Sequence, residues 1–200
     1  TNILKSLPKR LSMLPSPKPS AGVEAYEKEI ELALKQSKLK KQNYDLFLSS
    51  KKDIKVDYLP VKMDIENVSR CNFRCSMCVV SSWDKGKRSY DMSYADFKKL
   101  IDEQFGLTEI KLQGLGEPSL QKDTLFKMIK YARSKNIWVR TTTNASLLHK
   151  NNNYMKYIDS DTNEIQISID GSNKEVFEEI RKGGLLEKIC ENCKLINDYS

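Results

Sequence analysis

The sequence predicts an α/β fold in which a parallel sheet curls into part of an open barrel. Two observations carry this prediction: strand patterns alternate with helical patterns from residue 61 onward, and each strand is apolar on one face and polar on the other. Alternating strands and helices form βα units, and right-handed crossovers place the helices on one face of the sheet. A doubly wound sheet would instead need strands that are apolar throughout.

Four segments show the two-residue alternation of a strand. Their apolar positions are Val61, Met63, Ile65, Ile110, Leu112, Val139, Thr141, Ile165, Ile167 and Ile169. The opposite face carries Lys62, Asp64, Glu66, Gln113, Arg140, Asn144, Gln166, Ser168 and Asp170. Burying these groups unpaired beneath helices would cost several kcal/mol each. We therefore expect the polar face to line a wet or ligand-filled lumen.

Helical patterns separate and follow the strands. The first helix is expected to begin at Ser93, which forms a start like a capping box, and the second at Asp123. A short third helix precedes the last strand, and Ser172 begins a fourth that ends at the glycine pair 183–184. A further helix runs from about residue 185 to the end. The chain thus holds about four βα units, half the number in a closed barrel.

Residues 1–60 are predicted to form a basic N-terminal extension before a core at residues 61–200. The extension holds twelve Lys/Arg and seven Asp/Glu in a chain of net charge +7. Prolines and serines predict an extended segment at residues 8–20. Apolar residues at helical spacing predict one amphipathic helix over residues 23–48, which packs on the outside of the core. A basic arm can attract nucleic acid, but acids interleave with the bases, so nucleic-acid binding is not expected.

Composition and cysteine usage exclude several classes of protein. The chain has 200 residues, 39% hydrophobic and 30% charged, which is typical of a soluble globular protein. No apolar stretch is long enough to cross a membrane and no signal peptide is visible, so we expect no membrane partner. An odd count of five cysteines argues against a disulfide framework and for a reducing cytoplasm. The start at Thr1 suggests a fragment or a trimmed chain.

The strongest chemical signal is a CxxxCxxC motif immediately after the first strand. It consists of Cys71, Cys75 and Cys78. Active sites of barrels lie at the carboxyl ends of the strands, and thiolates are the usual ligands of iron–sulfur clusters. Three thiolates can hold three irons of a [4Fe–4S] cluster, and the fourth iron is then open to a cofactor or substrate.

This motif at the end of a first barrel strand resembles the signature of radical S-adenosylmethionine (SAM) enzymes. The resemblance implies a partial (β/α) barrel of the radical SAM type, with a [4Fe–4S] cluster on the three cysteines. It further implies that SAM binds the fourth iron through its amino and carboxylate groups. Met77 stands where the family usually has an aromatic residue near the adenine.

The end of the second strand is similar to the GGEP motif of the same family. Gly114, Gly116 and Glu117 lie in the segment Gln-Gly-Leu-Gly-Glu-Pro, where Leu115 replaces the first glycine of the motif or displaces it to Gly114. In the family, the backbone and carboxylate of this motif bind the SAM ammonium group. Glycines allow close backbone approach, and a carboxylate is a charge-assisted acceptor. An ordinary turn is the alternative interpretation.

Three later positions resemble further family motifs in the same order along the chain. Asn144 lies in Thr-Asn-Ala, similar to TNG, although an asparagine here could also be a helix cap. Ser168 and Asp170 lie in Ser-Ile-Asp-Gly, similar to an SxDG segment near the SAM ribose, and an Asp-Gly turn is the alternative. Arg181 corresponds to an arginine that reaches the SAM carboxylate, with a surface ion pair as the alternative.

The resemblance implies an enzyme that cleaves SAM reductively to a 5′-deoxyadenosyl radical, which abstracts hydrogen from an unidentified substrate. A reductant such as flavodoxin or ferredoxin is the implied partner. The alternative function is a non-enzymatic zinc or nucleic-acid-binding module. Zinc needs four Cys or His ligands, and His149, Cys190 and Cys193 are far from the motif in sequence. We interpret Cys190 and Cys193 as core residues on one helical stripe rather than as a redox pair or an auxiliary cluster site.

Overall fold

The computed structural model describes residues 21–51, 53–83 and 90–200, so the extended segment predicted at residues 8–20 lies outside them. One parallel sheet has the strand order β1-β2-β3-β4. The strands are β1 Lys62–Ile65, β2 Glu109–Leu112, β3 Trp138–Thr143 and β4 Glu164–Ile167. Each strand lies beside the next in sequence, without the reversal of a doubly wound sheet. The predicted partial barrel of four βα units is confirmed.

Seven α-helices accompany the sheet in these described ranges. They are α1 Ala21–Gln36, α2 Lys38–Ser49, α3 Tyr94–Glu103, α4 Asp123–Ser134, α5 Asn153–Asp159, α6 Lys174–Ile180 and α7 Leu186–Tyr199. Three short 3₁₀ helices span Val79–Ser81, Pro118–Gln121 and Lys150–Asn152. Of the helices described, none has the length and apolar character needed to cross a membrane.

The helix starts test the capping predictions. Ser93 caps α3 as expected, and its Oγ accepts a hydrogen bond from the Asp96 amide at 3.0 Å. Ser172 does not cap α6. Asn173 does so instead, because its Oδ1 accepts from the Val176 amide at 2.9 Å. Asparagine is as strong an N-cap as serine, so the helix begins one residue later than predicted.

The apolar face of the sheet and the helices outside it form one core. Its strand members include Ile65, Ile110, Leu112 and Val139. Their helical partners include Phe97, Ile101, Leu125, Met128 and Ile129, all of them buried. Each such side chain contributes about 1.5–3 kcal/mol when fully removed from water. The opposite face presents an aligned polar row of Asp64, Lys111, Arg140 and Glu164, as the alternation predicted.

The N-terminal extension contains two helices, so the prediction of one helix over residues 23–48 is wrong. The chain breaks at Ser37, whose φ of −134° and ψ of 107° are extended. Its Oγ accepts a hydrogen bond from the Lys40 amide at 3.2 Å and so caps a second helix. A serine that satisfies a free helical N–H group stabilises a new start at this point.

The extension lies against the amino ends of the strands and the C-terminal end of α4. The Tyr26 hydroxyl of α1 donates to Glu109 Oε2 at 2.8 Å, at the start of β2. Arg133 Nη1, in the last turn of α4, donates to Glu29 Oε2 at 2.6 Å. Lys40 Nζ donates a hydrogen bond of 2.9 Å to the carbonyl oxygen of Lys135, the C-cap residue of α4. These contacts leave the carboxyl ends of the strands uncovered by α1 and α2.

Candidate active site

A cavity of about 450 Å³ lies at the carboxyl ends of the strands. It is lined by Cys71, Phe73, Cys75, Met77, Cys78, Val79, Gln113, Gly114, Leu115, Gly116, Glu117, Thr142, Thr143, Asn144, Ser168 and Arg181. The structure therefore brings together every residue predicted for the site except Asp170. These residues are distant in sequence, and the parallel sheet gathers them because its strands all end at one edge.

The cysteine loop is fixed by backbone hydrogen bonds to the last residue of α6 and to the segment that follows it. The Arg74 amide donates to the Lys182 carbonyl at 2.8 Å, and the Ser76 amide donates to the Ile180 carbonyl at 2.9 Å. These two acceptors flank Arg181, so the same contacts bring its guanidinium to the cavity. Cys75 is buried, and the other two motif thiols are partly buried.

Burial raises the pKa of the Cys71 thiol, and the charges of Glu117 and the neighbouring thiols raise it further. Burial also raises the pKa of Cys75, while the Arg181 guanidinium opposes this shift. Both thiols are therefore protonated at neutral pH in the free protein. Ligation requires thiolates, so binding of a metal or cluster at this site releases protons.

The arrangement of the thiols distinguishes a cluster from a single ion. Within the described residues, no group of three or more His, Cys, Asp or Glu side chains could hold one metal ion. A structural zinc site needs four ligands around one ion, whereas the motif supplies three thiols. In a [4Fe–4S] cluster each thiolate binds its own iron. Three thiols spread around one cavity fit that donor set.

Other groups approach the backbone of the loop after β2 closely at two glycines. A Cβ atom on Gly116 would lie 2.0 Å from the Val68 carbonyl oxygen, and one on Gly114 would lie 2.2 Å from Glu66 Oε1. Glu66 in turn accepts a hydrogen bond from the Leu115 amide at 2.6 Å. At Gly116 the neighbouring atoms belong to the backbone, so only glycine allows this approach, whereas at Gly114 they belong to the Glu66 side chain.

Glu117 is buried, with 2% of its surface exposed, and it connects the ends of β2 and β3. Its Oε1 accepts from Thr143 Oγ1 at 2.7 Å and from the Ser119 amide at 3.1 Å. Its Oε2 accepts from the Asn144 amide at 2.8 Å. Sequence reasoning missed this bracing role, for which Thr143 and Asn144 at the next strand end were the available signal. The predicted contact of Glu117 with SAM stays a prediction.

Asn144 faces the cysteine loop. Its Oδ1 accepts from the Ser146 amide at 2.9 Å, a local turn of the kind that asparagine favours. Its Nδ2 donates to Asn72 Oδ1 at 3.0 Å and to Cys71 Sγ at 3.9 Å. Asn144 is therefore not a helix cap: it connects the turn after β3 to the first cysteine of the motif.

Arg181 and Asp170 form the ion pair that was the alternative interpretation, yet Arg181 also lines the cavity. Arg181 Nε donates to Asp170 Oδ2 at 2.6 Å, and the arginine side chain is 16% exposed. Asp170 thus holds the guanidinium from outside the cavity wall. Ser168 lines the cavity itself. Arg181 is the only cation among the described lining residues.

One polar atom in the cavity wall was not singled out from the sequence as a site group. Gln113 Oε1 is buried and accepts no hydrogen bond from the described part of the chain. Buried acceptors are normally satisfied, so a ligand donor such as an ammonium or hydroxyl group fits here. The signal was its position one residue beyond β2, on the polar face of the sheet.

The second pair of cysteines lies away from this cavity. Cys193 is partly buried and packs against the core, but Cys190 is exposed. The interpretation of both as core residues is therefore wrong for Cys190. It follows the buried Ile189, and consecutive residues of a helix point about 100° apart.

Comparison with known proteins decides the family. The sequence model of the radical SAM superfamily matches residues 66–200. The chain belongs to the radical SAM superfamily. Its members are enzymes whose cofactors are a [4Fe–4S] cluster and SAM, which makes a non-enzymatic zinc or nucleic-acid-binding module the poorer description of this chain.

Curated radical SAM relatives include proteins of different named activities. A GTP 3′,8-cyclase of Aliarcobacter butzleri is 36% identical over 144 residues, which cover 68% of this chain and 42% of the relative. The mycofactocin maturase MftC of Mycolicibacterium smegmatis is 29% identical over 126 residues, 62% of this chain and 31% of the relative. The chain thus spans less than half the length of these radical SAM relatives.

A solved structure supports the radical SAM fold. SuiB of Streptococcus suis bound to S-adenosylmethionine has a TM-score of 0.59 and 17% sequence identity. The match covers 70% of this chain and 32% of SuiB. At this identity the likeness shows a shared fold.

Proposed function

We propose that the chain forms the cluster- and SAM-binding part of an enzyme that cleaves SAM reductively and abstracts hydrogen from a substrate. The observation that supports this most strongly is the single cavity that gathers the CxxxCxxC thiols and the residues at all four strand ends. The proposal includes a core that begins at about residue 61 and a reducing cytoplasm as the place of action. Five free cysteines support the latter.

The three motif cysteines are proposed to hold the [4Fe–4S] cluster. When bound, the cluster supplies the electron that cleaves SAM into methionine and a 5′-deoxyadenosyl radical. Gln113 Oε1 and Glu117 are proposed to accept hydrogen bonds from the SAM ammonium group. Arg181, held by Asp170, is the cation proposed for the SAM carboxylate.

The remaining lining residues are proposed to orient the nucleoside part of SAM. Ser168 has a hydroxyl group suited to the ribose, and Met77, which is 58% exposed, is proposed to lie near the adenine. Both lie on the rim of the same cavity. They position the ligand and exclude water, and they take no part in electron transfer.

The substrate is proposed to be polar, because polar side chains such as Gln113, Thr142 and Ser168 line the cavity. A purine nucleotide is the first compound to test, since the curated relatives include a GTP 3′,8-cyclase. The electron donor is proposed to be a small carrier such as flavodoxin or ferredoxin.

The test is anaerobic reconstitution with iron and sulfide, followed by reduction with dithionite in the presence of SAM. Chromatography then measures methionine and 5′-deoxyadenosine, with and without GTP. We expect both products in equal amounts. A protein that carries the cluster but yields neither product would overturn the proposal.

A further inference from the structure

The turn after β3 contains a residue in an unfavourable backbone conformation. Ala145 has a φ of +60° and is fully buried. An L-residue with a Cβ atom adopts this left-handed region only at a cost, which glycine does not incur. The family motif noted above has glycine at this position. In this chain another part of the structure must hold the turn in place.

Local hydrogen bonds join Ala145 to Thr143 and Leu148, and Asn192 of α7 adds a contact from a distant part of the chain. Asn192 is fully buried, and its Nδ2 donates to the Ala145 carbonyl oxygen at 2.8 Å. Its Oδ1 lies 3.1 Å from Nδ1 of His149, the only histidine of the sequence. A carboxamide on the core side of a helix is costly unless its donor and acceptor are both used. Here both are used, and the donor is aimed at the strained residue.

The other side of the same turn contacts the cysteine loop. The Asn144 carboxamide donates to Asn72 Oδ1 at 3.0 Å and to Cys71 Sγ at 3.9 Å. The Asn72 carboxamide donates back to Ser146 Oγ at 2.9 Å. The turn therefore connects α7 on one side with the first motif cysteine on the other.

We propose that Asn192 is a positioning residue for the cluster- and SAM-binding site. It holds Ala145 in the left-handed conformation and thereby keeps the side-chain carboxamide of Asn144 hydrogen-bonded to Cys71 Sγ. The consequence for the cluster rests on the proposed function. Groups that donate hydrogen bonds to ligating sulfurs orient them and tune the cluster. The packing role itself is a property of the protein without its cofactors.

The first test uses the reduced protein without cluster. Iodoacetamide alkylation of Cys71, Cys75 and Cys78 is followed by mass spectrometry in the wild type and in Asn192→Leu, which has a similar shape but forms no hydrogen bonds. We expect Cys71 to react about three- to tenfold faster in the variant, the factor by which one lost hydrogen bond shifts an opening equilibrium. The rates of Cys75 and Cys78 should not change. Lys194→Ala, at an exposed position of the same helix, is the matched control.

Rescue separates a specific role from general loosening of α7. Glycine adopts the left-handed region without cost, so Asn192→Leu combined with Ala145→Gly should return the Cys71 rate to within about twofold of the wild type. An unchanged Cys71 rate in the single variant would overturn the proposal. Equal acceleration of all three thiols, or no rescue by glycine, would overturn it as well.

The second readout is the electron paramagnetic resonance spectrum of the reconstituted, reduced protein. We expect Asn192→Leu to retain its iron but to show a smaller spectral change on addition of SAM, and the double variant to recover it. A full SAM response in the single variant would contradict the proposed role. If the wild type forms no cluster, the proposed function fails, while the alkylation rates still decide the role of Asn192.

Discussion

The two ends of the same four strands are built in opposite ways. At the amino ends the charged side chains are paired: Lys62 Nζ lies 2.7 Å from Glu109, and Arg140 lies 3.1 Å from Glu109 and 2.9 Å from Glu164. At the carboxyl ends, three thiols face a cavity together with Gln113 Oε1, which accepts no hydrogen bond from the described residues. Barrels commonly use their carboxyl ends for function and their amino ends for stability. The proposed site in this partial barrel follows the same division.

Two buried glutamates illustrate the difference between the amino and the carboxyl ends of the strands. Glu109 lies at the amino end of β2 with Lys62, Tyr26 and Arg140 around it. Burial raises its pKa, but the hydrogen bonds from these partners outweigh burial and leave the pKa lowered. Glu117 lies in the loop at the carboxyl end of the same strand, and within the described ranges its hydrogen-bond donors are all neutral. A carboxylate that has no cationic partner can bind a cationic group of a ligand. A carboxylate that already forms ion pairs within the protein cannot.

The largest expected effect comes from removing a motif thiol at the carboxyl ends. Cys75→Ala should abolish cluster binding, because a [4Fe–4S] cluster held by three thiolates loses one of them. Iron content and absorbance near 400 nm after reconstitution measure this. Cys190→Ala, which removes an exposed thiol outside the cavity, should keep its iron. Full iron in Cys75→Ala would contradict the assignment.

The second effect comes from replacing the Glu117 carboxylate by a neutral carboxamide. Glu117→Gln should lower the free energy of unfolding by about 3 kcal/mol, since charge-assisted bonds to buried donors are lost. It should also weaken SAM binding while the cluster remains. Urea unfolding and calorimetric titration with SAM provide the measurements, with the exposed Glu175→Gln as control. Unchanged SAM affinity would remove Glu117 from the SAM site.

The third effect tests the docking of the extension at the amino ends. Burial lowers the pKa of Lys40 from 10.5 to about 8. The unfolded chain therefore binds more protons between these two values, so the stability of the folded protein rises with pH across this interval. We expect a rise of about 2 kcal/mol in the wild type that Lys40→Met lacks. The control Lys38→Met, which changes an exposed residue of the same helix, should show the same rise as the wild type. If the free energy of unfolding depends on pH in the same way in all three proteins, the burial of Lys40 is contradicted.

The smallest effect separates stability from function. Because the pKa of Glu109 is lowered below 4.5, its stabilisation is present above that value and is lost as pH falls through the folded pKa. Glu109→Gln should cost about 1 kcal/mol at pH 7, since its cationic partners are partly exposed. The difference from wild type should shrink below pH 4.5, and SAM affinity should not change. A difference that stays constant down to pH 3 would refute the ion-pair account.

The order of strands and helices was predictable from the sequence because alternation and helical spacing are local patterns. The break at Ser37 was not, since the apolar spacing continues across it and only the cap hydrogen bond stops the helix. The position of α1 at the amino ends was also missed. It depends on contacts such as that between Tyr26 and Glu109, which are far apart in sequence.

The candidate site also has features that were predictable from the sequence and features that were not. Three cysteines within eight residues were recognisable from their spacing, and the strand-end motifs followed from their order. The bracing of Thr143 by Glu117 and the hold of Asn192 on Ala145 were not recognisable. These contacts join elements that only the folded sheet brings together, and a buried asparagine in a helix has no local pattern that reveals its partner.

The central claim is that the thiols and the strand-end residues form one site for a cluster and SAM. The most direct measurement is the electron paramagnetic resonance spectrum of the reconstituted, reduced wild-type protein with and without SAM. We predict a [4Fe–4S]⁺ signal whose g values change when SAM is added. Absence of the signal, or a signal that SAM leaves unaltered, would contradict the claim.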